Sequence, residues 1–437
     1  MKTDKPRILV LTSLSPDTGA GIVAEDHYRF FREAGYDVDF MSPFPVKGHP
    51  EYKYVYSKRI CHSFSLTHLL RKLTDKNGLL KRWRRWIPSY SFSYRRETNP
   101  MMSVRKIVDS ITEPYDLVYV VFWQGMLTFQ TIEAIYDKLH CQMFFYCIDY
   151  SPMSGGCHFT GDCDNFETGC GFCKGIGSRK LEDFTRWNVR YRRRVYDKVR
   201  PVVMGNSYMH TFFDRSWLLK DYDRKLKCSF TLDLDLWHEH DRQEARLELG
   251  IGAEKRFVIF FGARYMTDTR KGFAYLLDAL KYLHERLGED ERREVLLLIA
   301  GSDIEEVKDR LLFDYRYVGY VGGADLPRLY SLASVFLSAS VDDAGPSMVN
   351  QSLACGTPVV AFEMGTALDC VKGHNTGYCA ALRDASDFAS GIERLFRMPE
   401  EEYMQMRRDC RKLSEELFSP QHLISSVQEA YDRYHNK

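Results

Sequence analysis

A chain of 437 residues is longer than one hydrophobic core ordinarily serves, so two domains of about 200 residues each are expected. Hydrophobic residues make up 44% and charged residues 28%, which excludes wholesale disorder, and a formal charge of +1 supplies no global field for a nucleic-acid partner. The longest apolar run, 117–123, falls far below the ~20 residues of a membrane helix, and "RILVL" is too short for a secretory leader; a cytoplasmic protein is expected, its twelve cysteines reduced or metal-bound.

Residues 7–11 form a β-rich run, followed by the turn-rich "TSLSPDTGAG" (12–21). A helix is expected next, because Ala24, Tyr28 and Phe31 share one face; Gly35 caps it and "DVDFM" (37–41) is the next strand. This is a βαβ unit, which implies a parallel sheet. Residues 117–122 and 141–148 read as further strands. The second half repeats the scheme: strands at 256–263, 295–301, 335–340 and 358–362, and a helix over 273–288. The expected fold is α/β, with two Rossmann-like doubly wound domains facing across a cleft and ligands at the carboxyl ends of the strands. Their bounds are 1–228, with a cysteine-rich insert at 147–175, and 229–417, followed by a final helical stretch at 418–437.

In "VDDAGPSMVNQSLACGTPVVAF" (341–362) a loop with two acids leads into a short helix that starts near Pro346. The amides of Ser347, Met348 and Val349 then lack helical partners, and such groups, with the helix dipole, bind phosphate. Gly356 and Pro358 end the helix. An ordinary capped helix with solvated acids is the competing reading.

This stretch resembles the donor-site motif of GT-B glycosyltransferases of the large retaining family 4, and more narrowly bacterial exopolysaccharide and capsule enzymes of the colanic-acid type. Their pattern is a Glu, seven residues, a second Glu, then Ala-x-Ala-Cys-Gly-Thr-Pro-Val-Val-Ala. The first acid falls on Asp343, with Asp342 beside it, and the second on Gln351, a departure at the position that holds the ribose hydroxyls. "FGARYMTDTRKGF" (261–273) fits the family's Arg and Lys-Gly signature, which implies that Arg264 and Lys271 neutralise the departing diphosphate. The "TGAG" turn matches the family's glycine position at Gly21, with Gly19 beside it.

"FYCIDYSPMSGGCHFTGDCDNFETGCGFCKG" (145–175) resembles a signature of the narrower subgroup through Asp149, Gly155, Gly156, Cys157, Gly169, Cys170, Gly171 and Cys173. Ile148 stands where the family has a His, which leaves Asp149 as the polar candidate there; Trp123 and Gln124 match an acceptor-side position. Cys157, Cys163, Cys170 and Cys173, spaced C-x5-C-x6-C-x2-C, suit either a structural zinc site, with His158 as a substitute ligand, or four reduced thiols.

Segment 71–96 carries nine Lys/Arg and one Asp among aromatics. It suits a solvated surface, a contact with an anionic membrane or lipid diphosphate, or, least well, nucleic acid. The basic run 186–200 is a helix face, and the pattern over 418–437 is a helix. The resemblance implies that this last helix crosses back to the first domain. It also implies a retaining glycosyltransferase that moves a sugar from a nucleotide-sugar donor to a glycan or polyprenyl-diphosphate-linked acceptor. No cofactor would be required for catalysis. A non-catalytic GT-B protein that binds nucleotide or glycan, or scaffolds an assembly, is the alternative.

Overall fold

The structure, a computed structural model, describes residues 5–16, 19–56, 96–305 and 307–435. Most of the basic segment 71–96 therefore lies outside the described residues. The chain divides into two compact units. The first takes residues up to Gly205, Met209–Cys228 and those from Ile424 on; the second takes Asn206–Tyr208 and Ser229–Leu423.

The first unit holds a sheet of seven strands among the described residues: β1 (Ile8–Thr12), β2 (Val38–Ser42), β3 (Lys53–Tyr54), β4 (Leu117–Phe122), β5 (Gln142–Tyr146), β6 (Val202–Gly205) and β7 (Lys225–Lys227). Their order is β3-β2-β1-β4-β5-β6-β7, and each neighbouring pair is parallel. Every residue of β1 is buried, as in a parallel sheet covered on both faces. The chain reverses direction across the sheet between β1 and β4, the switch point at which doubly wound sheets open a crevice. Helix Pro420–His435 contributes to this unit from Ile424 on: the Tyr36 hydroxyl donates to Gln428 Oε1 at 2.7 Å, and Gln142 Nε2 donates to the Tyr431 carbonyl at 3.2 Å.

Helix Gly19–Glu33 covers β1 and β4 and buries His27. Its Nδ1 lies 3.1 Å from the Tyr119 hydroxyl, and its ring packs edge-on against Tyr146. Its Nε2 has no partner. Burial therefore lowers its pKa from 6.5 to about 3. The folded state holds His27 neutral, whereas the unfolded chain takes up a proton below about pH 6.5. Stability should thus fall with pH through this window, by about 1.4 kcal/mol per unit. Denaturant melts at pH 7 and pH 5 should show wild type losing about 2 kcal/mol more than His27→Gln. Equal losses would rule out His27 as the source.

The second unit holds six strands among the described residues: β8 (Phe257–Ala263), β9 (Val295–Gly301), β10 (Tyr315–Gly319), β11 (Val335–Ser338), β12 (Val359–Phe362) and β13 (Gly377–Ala380). Their order is β10-β9-β8-β11-β12-β13, again parallel, with the switch between β8 and β11. Helix Phe273–Arg286 buries Phe273, Leu276, Leu277, Leu280 and Leu283, the spacing of one helical face. Two strands are shorter than their apolar runs. β11 stops at Ser338 because the amides of Val341 and Asp342 turn to the carbonyl of Arg270. β12 starts after Pro358, which has no N–H for the ladder.

Candidate functional site

The residues after β8 and β11 meet at the switch point of the second sheet. After β8 the chain forms a turn of 3₁₀ helix, Thr269–Lys271, closed by Gly272 at φ +65°. A Cβ on Gly272 would lie 1.8 Å from the Ala339 carbonyl oxygen, so only glycine lets this turn touch the end of β11. That contact sets Lys271 beside the acid loop: its Nζ lies 2.6 Å from Asp343 Oδ2. Asp343 Oδ1 accepts from the Gly345 amide at 3.1 Å. Burial raises the Asp343 pKa, but the Lys271 charge and hydrogen bond outweigh it and hold the carboxyl below its ordinary value. Arg270 is turned aside to Asp268, at 2.6 Å. Arg264 is exposed after β8, its guanidinium 5.7 Å from the Tyr265 ring centre, and no carboxylate among the described residues is within ion-pairing distance of it.

Helix Ser347–Ala354 follows the acid loop, with Pro346 as the residue before it rather than its first. The Val349 amide donates to the Pro346 carbonyl at 3.0 Å, so of the three amides expected for phosphate only those of Ser347 and Met348 remain at the helix start. Gln351 Oε1 accepts from the Tyr330 hydroxyl at 3.1 Å, so its carbonyl end is engaged within the unit. Gly356 closes the helix at φ +70°.

A second polar cluster lies in the first unit, beyond the carboxyl ends of β4 and β5. Asp149 is buried and accepts from the Ser151 amide at 2.9 Å and the Ser151 hydroxyl at 3.0 Å. His158 Nδ1 lies 2.5 Å from Asp149 Oδ2, and Gln124 Nε2 donates to the same oxygen at 3.4 Å. His158 is thus Asp149's partner, set edge-on to Phe122. Beneath it Arg192 and Glu97 form a buried ion pair at 2.6 Å. Arg192 also donates to the carbonyls of Ser151 and Ser154, and Glu97 Oε2 accepts from the Phe129 amide at 2.7 Å. Trp123, matched to an acceptor-side position, packs against Phe129 and Phe145 and lines a small cavity with Gln124 and Ser151. Gly21 is required by packing, since a Cβ there would lie 1.9 Å from the Ser15 carbonyl oxygen; Gly19, at φ +40°, has open space around it.

The zinc expectation is corrected. Among the described residues no group of three or more His, Cys, Asp or Glu side chains is placed to hold a metal ion. Cys157, Cys163, Cys170 and Cys173 line a narrow apolar cavity with Phe166. Hydrogen bonds hold the loop. Asp183 accepts from the Cys173 amide at 3.0 Å, Ser154 Oγ from the Cys157 amide at 2.9 Å, and Asn165 Nδ2 donates to the Gly171 carbonyl at 2.9 Å. Burial raises the Cys157 and Cys170 thiols, the latter to about 12. No helix among the described residues is long and apolar enough to cross a membrane.

Sequence reasoning missed the Asp149–His158 contact and the Glu97–Arg192 pair. The second joins residues 95 positions apart, and no local pattern announces it. A histidine nine positions after an acid is equally silent, because the loop between them is irregular.

Residues 255–398 match the family model described as "Glycosyl transferases group 1". An uncharacterized glycosyltransferase of Methanocaldococcus jannaschii is 26% identical over 171 residues, covering 37% of this chain and 41% of that protein. The matched region spans less than half the length of the curated relatives. Among solved structures, sucrose-phosphate synthase from Thermosynechococcus elongatus has a TM-score of 0.64 at 16% identity, covering 99% of both chains. Anabaena HepE in complex with UDP-glucose has a TM-score of 0.62 at 14% identity, covering 99% of this chain and 100% of that one. At these identities the likeness establishes the fold alone, GT-B, with its two parallel α/β sheets.

Proposed function

Taking as premise a GT-B chain that resembles group 1 glycosyltransferases across residues 255–398, we propose that it transfers a sugar from a nucleotide-sugar donor to a glycan or lipid-linked acceptor. The observation that carries this reading is the Lys271–Asp343 pair at the β8/β11 switch point, with exposed Arg264 after β8 and the Ser347 and Met348 amides at the start of the helix that follows the acid loop. Fixed cations and helix amides there suit the negative charge that develops on a departing nucleoside diphosphate. In this reading Arg264 and Lys271 meet the diphosphate, and the Lys271–Asp343 contact holds the ammonium at one place. Gln351 meets the nucleotide's ribose through neutral hydrogen bonds only, which are weaker than those of a carboxylate.

The same reading places Asp149, paired with His158, near the acceptor and the transferred sugar. Transfer retains configuration: the leaving phosphate oxygen takes the acceptor hydroxyl proton, so no dedicated protein base and no metal are needed for the step. The setting is cell-surface polysaccharide assembly of the exopolysaccharide or capsule type, at the inner face of the cytoplasmic membrane.

A panel of UDP-, GDP- and ADP-sugars, followed by thermal shift on wild type and Arg264→Ala, tests the reading. A bound donor raises the melting temperature through RT ln(1 + [L]/Kd). One donor is expected to shift wild type, to lose that shift in the variant, and to be turned over with an acceptor glycan. Binding without any turnover would favour a scaffold that retains the nucleotide, a reading that the engaged Gln351 side chain supports. No shift with any nucleotide would sink both.

A further inference from the structure

A cavity of about 420 Å³ opens in the second unit, between helix Arg242–Glu248, the start of β8 and the segment after helix Ala385–Phe396. Its walls include Phe257, the first residue of β8, and Ser334, which precedes β11. It therefore sits at the amino ends of the strands whose carboxyl ends carry Arg264, Lys271 and Asp343. Seven residues of β8 at about 3.3 Å each separate the two places by roughly 20 Å. The volume is within the range of small-molecule sites.

Its lining is unusual for a void left by packing. Arg242 and Arg246 stand one helical turn apart and both face it. The Arg242 guanidinium donates to the Ser334 hydroxyl at 2.9 Å and to the Leu332 carbonyl at 3.4 Å. Arg246 Nη2 donates to the carbonyls of Gly252 at 2.8 Å and Lys255 at 2.6 Å. These bonds fix both forks without neutralising them: among the described residues no carboxylate lies within ion-pairing distance of either. Burial first, and the Arg242 charge after it, lower the Arg246 pKa against the opposing charge of Glu254. Arg256, at the same cavity, is already paired with Glu294 at 2.6 Å, and Glu400 is the acid of the lining. The apolar part of the lining is formed by Leu395, Met398 and Tyr403, with the Arg242 guanidinium 5.7 Å from the Tyr403 ring centre.

Two fixed guanidinium groups in one cavity with apolar and aromatic side chains match an anion that carries a hydrophobic body. We propose that this cavity binds a small organic phosphate, its phosphoryl group between Arg242 and Arg246 and its apolar part against Leu395, Met398 and Tyr403. Arginine forks suit phosphate because two parallel N–H donors meet two oxygens. The site is independent of the proposed donor site and stands or falls without it.

The test is calorimetric titration with phenyl phosphate and with inorganic phosphate, in a full-length Arg264→Ala Lys271→Ala background that removes the cations of the other site. One phenyl phosphate per chain is expected, bound about tenfold more tightly than inorganic phosphate, because the ring adds apolar burial. Adding Arg242→Gln and Arg246→Gln should weaken it by about tenfold or more. Hydrogen exchange on unmutated protein gives a second measure that needs no variant: phenyl phosphate should protect 242–257 and 398–403. Binding unchanged by the two replacements, equal affinity for the two phosphates, or exchange protection confined elsewhere would each overturn the proposal.

Discussion

Lys271→Ala should lower donor turnover by about 10²–10³-fold, the loss typical of removing one preorganised electrostatic contact to a developing anion. Lys271 Nζ is held 2.6 Å from Asp343 and is less than a third exposed. It is therefore preoriented, and little reorganisation accompanies the build-up of charge on a leaving diphosphate. The replacement also strips Asp343 of the strongest of the groups that hold its carboxyl down, leaving the Gly345 amide and Arg270 alone against burial. The acid limb of the pH–rate profile should accordingly move to higher pH in Lys271→Ala. Steady-state kinetics with the donor identified by thermal shift checks both effects. Full turnover in this variant would remove Lys271 from the reacting site and leave the pair as a loop clasp.

Arg192→Leu should destabilise the first unit by about 3–5 kcal/mol, the cost of leaving one member of a buried ion pair unpaired. The side chains of Arg192 and Glu97 are 6% and 5% exposed, so the remaining charge is left largely desolvated. Arg192 also ties the carbonyls of Ser151 and Ser154, the turn next to Asp149. Glu97→Gln should cost less, because the amide oxygen can still accept from the Phe129 amide. Denaturant unfolding of the two variants and the double replacement gives the coupling directly. Additive losses, with no coupling, would show that each side chain acts through its other contacts. Nucleotide-induced shifts assigned to the second unit should persist in Arg192→Leu, which separates loss of the first unit's packing from loss of the donor site.

Much of this protein is local in the chain. The strands are read from short apolar runs, since a parallel sheet covered on both faces needs apolar residues without alternation, as in 117–122 and 295–301. The Lys271-Gly272 and Asp343 positions are legible because the tight turn demands a glycine, and the charged residues lie in the segments that follow strand ends. Tertiary structure decided what lies between distant segments. It set Lys271 against Asp343, 72 positions away, and took the Val349 amide and the Gln351 carbonyl for internal bonds. It gave His158 to Asp149 instead of to the cysteines, and held the cysteine loop by hydrogen bonds. The reason is physical: strand and turn preferences are set by each residue's own backbone and near neighbours. Which buried polar group satisfies which depends on the three-dimensional packing that removes water from both.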